Sequence, residues 1–286
     1  MTAPVSNEPA DLRATTRVPQ RFWIGLLALV VYVALAGGVA NLLDAWVQPS
    51  SEVGEFALTH FPVLIPLIVA GVVFVRVSGW GRSVWRTPAA FETHPRRWWM
   101  LAFPVLLFAQ AVAVIVLIPW NDRAAGLVLV VALGTAMVGF GEELYVRGIL
   151  RASLRAHHGE TLTLVVTSLL FGAAHTLGSV MLGLQPTFIA FQVVATAFDG
   201  VLLYGVFRAT GRLWVAATLH ALTDFSLYVS NGDLADHSGS DVLTSPVNVV
   251  IQFALWALAA ALLVSCIRQD LRARRDRRQT ADDHIA

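Results

Sequence analysis

Long apolar runs, separated by short polar or charged segments, recur along almost the whole chain. Each is close to the ~20 residues that an α-helix needs to cross the ~30 Å hydrocarbon core of a bilayer. The pattern predicts eight spans at about residues 22–43, 57–76, 98–119, 124–146, 162–182, 187–207, 212–230 and 247–267. We therefore expect an all-α, polytopic membrane helix bundle. Its first run is too long for a cleaved signal peptide and is expected to be a retained span.

The composition supports the membrane class. The 286 residues are 56% hydrophobic and only 14% charged, and the mean hydropathy is +0.66. These values lie outside the range of soluble globular domains. The lone Cys266 excludes an internal disulfide and a multi-cysteine metal cluster. The lipid bilayer is the first partner that the sequence predicts, and the net charge of +1 gives no reason to expect a nucleic-acid partner.

Basic residues predict the orientation. All twenty are arginine. With the N-terminus inside, nineteen fall on the inner side of the predicted bundle and only Arg123 falls outside, as the positive-inside rule requires. Both termini are therefore expected to be cytoplasmic, in a multi-pass protein of the plasma membrane. Tryptophans at span ends, such as Trp80, are expected in the membrane interface, and residues 79–97 at the cytoplasmic surface.

The chain is expected to have four parts. Ionisable groups at membrane depth distinguish one of them, because these groups cluster in the fourth to seventh spans. Residues 1–21 are expected to be a disordered cytoplasmic tail, since they are polar and rich in Thr, Pro and Ala. Residues 22–123 are expected to form scaffold spans and residues 124–230 the functional core. Residues 231–286 supply the last span and a basic cytoplasmic tail.

Glu142 and Glu143 follow an apolar run, 124–140, that carries no charge. Charged groups in or near lipid are costly and therefore indicate a functional site. On a helix Glu143 and Arg147 are i,i+4 and share one face, so they can form a structural ion pair. Glu142 is rotated by about 100° from Glu143 and is left free for chemistry. We expect it near the cytoplasmic end of its span.

Three polar side chains on neighbouring spans complete the candidate site. His175 lies in the fifth span and is expected deeper than Glu142, whereas His220 and Asp224 share one face of the seventh. A carboxylate and two imidazoles in a dry pocket suit the activation of a water for attack on a carbonyl. The imidazoles could share proton transfer, stabilise an oxyanion or bind Zn²⁺ with a carboxylate. The alternative is that they only hydrogen-bond across helices.

These residues form a motif series: Glu142-Glu143-x-x-x-Arg147, Phe171-x-x-x-His175 and His220-x-x-x-Asp224. The series resembles that of the CPBP intramembrane proteases, also called the Abi family, which includes the type II CAAX prenyl proteases. The resemblance covers residues 124–230 and implies a protease core that hydrolyses peptide bonds of membrane-associated proteins or peptides at a cytoplasm-facing site. The implied catalytic set is Glu142, Glu143, His175, His220 and Asp224.

The resemblance assigns roles by position and leaves the metal open. It implies that Glu142 and His175 activate the water, and that His220 and Asp224 stabilise the oxyanion or join a metal site. The family is described as metalloproteases, so Zn²⁺ could be held by His175, His220, Glu142 and Asp224. A metal-free glutamate and histidine mechanism fits the same residues, and no H-E-x-x-H pair lies on one helix.

Two functions other than proteolysis are compatible with these residues. A non-catalytic membrane partner or immunity protein could use the same buried polar pocket for binding. A proton-coupled transporter could use the same carboxylates, but it would be expected to show inverted repeats and paired broken helices. The sequence shows neither feature.

Overall fold

The regular elements of the protein are helices, as predicted. The computed structural model describes residues 16–47, 51–231 and 245–283, and in these ranges the only β-type contact is an isolated antiparallel bridge between Arg86 and Arg212. Most of the predicted tail 1–21 and the predicted loop at 232–244 lie outside the described residues.

Twelve α-helices are present in the described ranges. They are α1 (Phe22–Val33), α2 (Ala40–Val47), α3 (Glu52–Ser78), α4 (Gly81–Trp85), α5 (Ala102–Leu117), α6 (Ala125–Glu143), α7 (Arg151–Arg155), α8 (Glu160–Ala174), α9 (Thr176–Met181), α10 (Pro186–Thr210), α11 (Leu213–Asn231) and α12 (Pro246–Asp283). The π-helical segment Ala34–Val39 joins α1 to α2, and a second one, Leu144–Leu150, joins α6 to α7. Short 3₁₀ turns at Trp98–Leu101 and Trp120–Asp122 flank α5.

Seven helical stretches of the described residues are long and apolar enough to cross a membrane. They are Phe22–Leu43, Glu52–Ser78, Trp98–Leu117, Ala125–Arg155, Glu160–Met181, Pro186–Thr210 and Pro246–Thr280. The eighth predicted span, 212–230, is α11, whose 19 residues extend for about 28 Å. Because α11 packs against α5, α6 and α10, it does not need an apolar surface on every side, and polar residues such as His220 and Asp224 lower its hydropathy.

The helix of the fourth span continues beyond the apolar run that was predicted to end at residue 146. It passes through the π-helical segment and reaches Arg155. The prediction stopped the span at charged residues, and two of these, Arg147 and Arg151, are buried. The guanidinium group of Arg151 donates from Nε to the Arg147 carbonyl at 2.7 Å and lies 4.3 Å above the Phe207 ring. An arginine whose charge is satisfied inside the protein does not end a span.

Small residues let the core helices approach closely. A Cβ atom on Gly139 of α6 would lie 2.6 Å from the Ala221 backbone nitrogen on α11. A Cβ atom on Gly172 of α8 would lie 2.3 Å from the Val193 carbonyl oxygen on α10. Lipid provides no hydrophobic force that drives one helix against another, so tight packing of this kind holds membrane bundles together. The first contact joins α6 to α11 and the second joins α8 to α10, and these four helices carry the candidate site.

A strap that contains α4, residues 79–97, crosses one end of the bundle. The Thr87 amide donates to the Gly211 carbonyl at 2.9 Å, and the Ala90 amide donates to the Arg208 carbonyl at 3.0 Å. Trp80, which was expected in the membrane interface, is instead fully buried. Its indole nitrogen donates to the Val18 carbonyl at 2.8 Å, so the polar end of the ring is satisfied by the chain instead of by headgroups. Trp80 is therefore held by contacts within the protein.

The last helix is tied to the rest of the bundle by polar side chains. Asp270 of α12 accepts from the Glu160 and Thr161 backbone amides, each at 2.9 Å. It therefore caps the N-terminus of α8, where amide groups lack partners within the helix. Deeper in the bundle, the Gln110 amide of α5 donates to Gln252 Oε1 of α12 at 3.0 Å.

Candidate active site

Glu143 and Arg147 form an ion pair at the junction of α6 and the second π-helical segment. Arg147 Nη1 donates to Glu143 Oε1 at 2.8 Å, and neither side chain is exposed. Arg147 Nη2 also donates to the Gly200 carbonyl of α10 at 3.0 Å. The pair therefore has both an electrostatic partner and a backbone anchor on a second helix. A buried charge requires this kind of compensation.

His220 of α11 lies among three carboxylates. Its Nδ1 is 3.3 Å from Glu143 Oε1, and its Nε2 is 3.4 Å from Asp224 Oδ2 and 3.8 Å from Glu142 Oε2. The His220 side chain is only 8% exposed. An ionised carboxylate oxygen can only accept hydrogen bonds. A ring that carries hydrogen on both nitrogens therefore complements these neighbours.

Glu142 has an oxygen that lies 3.8 Å from His220 Nε2 and accepts no hydrogen bond from the described residues. Its Oε2 is buried and has no hydrogen-bond partner among the described residues, although the whole side chain keeps 21% exposure. Buried polar atoms in proteins are almost always hydrogen-bonded to the chain or to ordered water. The Glu142 oxygen is therefore suited to bind a water or a polar group of a substrate.

His175 lies just beyond the end of α8 and is held by its own helix. Its Nδ1 is 2.9 Å from the Phe171 carbonyl oxygen, and because a carbonyl only accepts, Nδ1 is the donor. Nε2 is then left for other partners. Within the described residues His175 forms no ion pair, but it interacts electrostatically with Asp199 and Asp224. Among the described residues, no ion pair joins His175 to Glu142.

Phe171 packs among the site residues. Its ring centroid is 5.2 Å from that of His175 and 5.7 Å from that of His220, both in edge-to-face geometry. The Arg147 guanidinium carbon lies 4.2 Å from the ring centroid on the face of the ring. The apolar ring thus separates the ion pair from His175 and restricts both imidazoles.

The helix positions explain why residues expected at different depths meet. Glu142 lies 13 residues before Arg155, where its span ends, and His175 lies 15 residues after Glu160, where its span begins. At ~1.5 Å per residue these are about 20 and 22 Å from the same end of the bundle. Glu142 was expected nearer the cytoplasmic end than His175, whereas along their helices the two residues lie at similar distances from this end.

Two site residues were not assigned to the site from sequence. Asp199 of α10, one of the ionisable groups at membrane depth, interacts electrostatically with His175, His220 and Arg147. Tyr32 comes from α1, which was expected to be scaffold, and interacts electrostatically with Glu142. The signal for Asp199 was its charge at membrane depth. For Tyr32 the only signal was a phenol in the middle of an apolar span.

The candidate metal ligands can be compared with what a metal ion requires. In residues 16–47, 51–231 and 245–283 no three His, Cys, Asp or Glu side chains are placed to hold a metal ion. His220 Nε2 lies 3.4 Å from Asp224 Oδ2 and 3.8 Å from Glu142 Oε2. His175 faces no carboxylate at ion-pair distance. The donor types suit Zn²⁺.

Comparison with known proteins identifies one related family. Residues 124–226 match the family model described as type II CAAX prenyl endopeptidase, Rce1-like. No curated protein and no solved structure is significantly similar to the chain. The matched segment contains every candidate catalytic residue and Arg147, and it confirms the family resemblance that the motif series indicated. At the level of the family, the match supports a CAAX-protease-like intramembrane endopeptidase and a multi-pass membrane protein.

Proposed function

We propose that the protein is an intramembrane endopeptidase that hydrolyses peptide bonds of membrane-associated proteins or peptides with a water activated by Glu142 and His175. The observation that carries the proposal is the buried Glu142 Oε2. It has no hydrogen-bond partner among the described residues, and it lies beside His220 and Asp224 in the segment that matches an endopeptidase family.

The proposed reaction begins with a water between Glu142 and His175. Glu142 takes one proton as the water oxygen attacks the carbonyl carbon of the scissile bond. The C=O π electrons move to oxygen and form an oxyanion. Glu142 then returns the proton to the amide nitrogen, the C–N bond breaks, and the products are a carboxylic acid and an amine.

His220 and Asp224 are proposed to act on the developing oxyanion. His220 is only 8% exposed, and a fixed donor in such a water-poor site stabilises charge more effectively than in bulk water. Asp224, at 3.4 Å from Nε2, orients the ring. Glu143 and Arg147 hold the opposite side of the imidazole and are too buried to touch a substrate.

Membrane-associated substrates are expected because the site residues lie on helices of the membrane bundle. CAAX-like processing near the cytoplasmic face of the plasma membrane is proposed from the family match and the arginine distribution. In the alternative function, this chain would bind a membrane-associated protein without cleaving it.

The first test is a cleavage assay in liposomes with membrane-peptide substrates. Glu142→Gln keeps the shape of the side chain and removes the base, so activity should fall by about 10²–10⁴-fold while the protein stays folded and inserted. Glu55→Gln makes the same chemical change at an exposed position and should leave activity unchanged. Wild-type cleavage by the Glu142→Gln protein would remove Glu142 from the role of base, and binding without cleavage by the wild type would favour the non-catalytic partner.

The second test concerns metal. We propose that the reaction runs without a bound metal, since His220 contacts its carboxylate neighbours directly. Exhaustive chelation should leave the rate unchanged, and elemental analysis should find less than one zinc per chain. A rate lost to chelator and restored by added Zn²⁺ would overturn this mechanism.

A further inference from the structure

A cavity lined by three arginines lies between the start of the third span and α12. Its volume is about 340 Å³. Arg97 precedes the third span, and Arg268 and Arg272 are one turn apart on α12. The apolar wall of the cavity is formed by Trp99, Ala261 and Val264. The cavity is distinct from the candidate active site, because it shares none of its residues.

The position of the cavity matches the boundary between hydrocarbon and headgroups. The α12 sequence is apolar up to Ile267 and basic from Arg268 onward. Trp98 and Trp99 are 57% and 38% exposed at the start of the third span, where aromatic side chains mark the membrane interface. On the face of α12 that lines the cavity, Ala261 and Val264 are followed by Arg268 and Arg272, and this spacing keeps all four on one side of the helix.

The three positive charges have no carboxylate at ion-pair distance in the described part of the protein. None of Arg97, Arg268 and Arg272 forms an ion pair there. Burial lowers the pKa of Arg97, the positive charges of Arg208 and Arg272 lower it further, and Glu160 opposes them from a longer distance. A phosphate would neutralise guanidinium groups that lie beside an apolar wall and have no ion-pair partner among the described residues. Arginine binds phosphate particularly well, because its guanidinium group can donate two parallel hydrogen bonds.

We propose that this cavity binds one anionic glycerophospholipid. The phosphate contacts Arg97, Arg268 and Arg272, and an acyl chain lies along Trp99, Ala261 and Val264. A phospholipid fits both halves of the cavity, whereas a free phosphate would use only the arginines.

The test is native mass spectrometry of the full chain in detergent, titrated with phosphatidylglycerol or phosphatidylcholine. Wild type should retain one phosphatidylglycerol in preference to phosphatidylcholine. Substitution of Arg97, Arg268 and Arg272 by Gln should weaken retention by about fivefold for each arginine, on the order of 100-fold for all three. The matched control replaces Arg274, Arg277 and Arg278 by Gln. These arginines are also exposed on α12 but lie outside the cavity lining, and their loss should leave retention of the bound lipid nearly unchanged.

Two outcomes would overturn the proposal. Equal losses in the two triple variants would mean diffuse attraction to the basic helix and no site. Displacement of phosphatidylglycerol by millimolar inorganic phosphate would mean that an anion alone is bound. If the Arg97 variant fails to fold, Arg268→Gln with Arg272→Gln tests the same site. Both residues are exposed, and this double variant should still bind on the order of 25-fold more weakly.

Discussion

Glu142 and Glu143 are adjacent in the sequence but have different proposed roles, one catalytic and one structural. Glu143 faces Arg147 and His220 and is fully buried, whereas the Glu142 side chain keeps 21% exposure. Each glutamate has a buried Oε2 without a hydrogen-bond partner among the described residues. The sequence predicts this division because neighbouring helical residues are rotated by about 100°. It could not predict that His220 would lie between both glutamates and Asp224, since that depends on how α11 packs against α6.

Arg147 provides a prediction at this scale. Arg147→Ala should lower the thermal stability of the protein in detergent, because it leaves Glu143 buried without its partner and also removes the bond to the Gly200 carbonyl. Breaking a buried pair costs about 3–5 kcal/mol. Arg76→Ala, an exposed arginine on α3, should change stability by no more than about 0.5 kcal/mol. An Arg147→Ala protein as stable as wild type but inactive would place Arg147 in the catalytic group.

At the scale of the helices, the sequence predicted which segments are helical better than it predicted where each helix ends. Every predicted span corresponds to a helix, because long apolar runs give a strong signal. The predicted fourth span ended at residue 146 because arginines normally mark the end of a span, whereas its helix continues to Arg155. Here Phe207 and backbone carbonyls satisfy Arg151 inside the bundle. Hydropathy along one chain carries no information about such partners on other helices.

Gly139 provides a prediction for the contact between α6 and α11. Gly139→Ala should separate the two helices, since its Cβ would meet the Ala221 nitrogen at 2.6 Å and the Ala217 oxygen at 2.8 Å. We expect a loss of about 1–3 kcal/mol and lower activity, because His220 adjoins Ala221. Gly126→Ala on the same helix has no atom within 4 Å of the new Cβ and should be neutral or slightly stabilising. Thermal unfolding and cleavage rates of the two variants, measured side by side, check this. Equal effects would refute the packing role.

At the scale of the whole molecule, the arginine distribution predicts an orientation that the helices alone do not determine. Cysteine labelling can measure it, because the native Cys266 is 1% exposed and should not react. A membrane-impermeant maleimide should label Asn121→Cys in intact cells and Gln279→Cys only after permeabilisation. Both positions are exposed. The reverse pattern would place both termini outside and contradict a cytoplasmic active site.

The cap that Asp270 places on α8 has a consequence for biosynthesis. All the candidate catalytic residues are translated before α12, yet the Glu160 and Thr161 amides find their partner only at residue 270. Until the last helix enters the membrane, the first turn of the helix that leads to His175 lacks this cap. The start of α8 is therefore completed only when synthesis of the chain is almost finished, and a chain that stops before residue 245 should be stabilised when 246–286 is supplied as a separate helix.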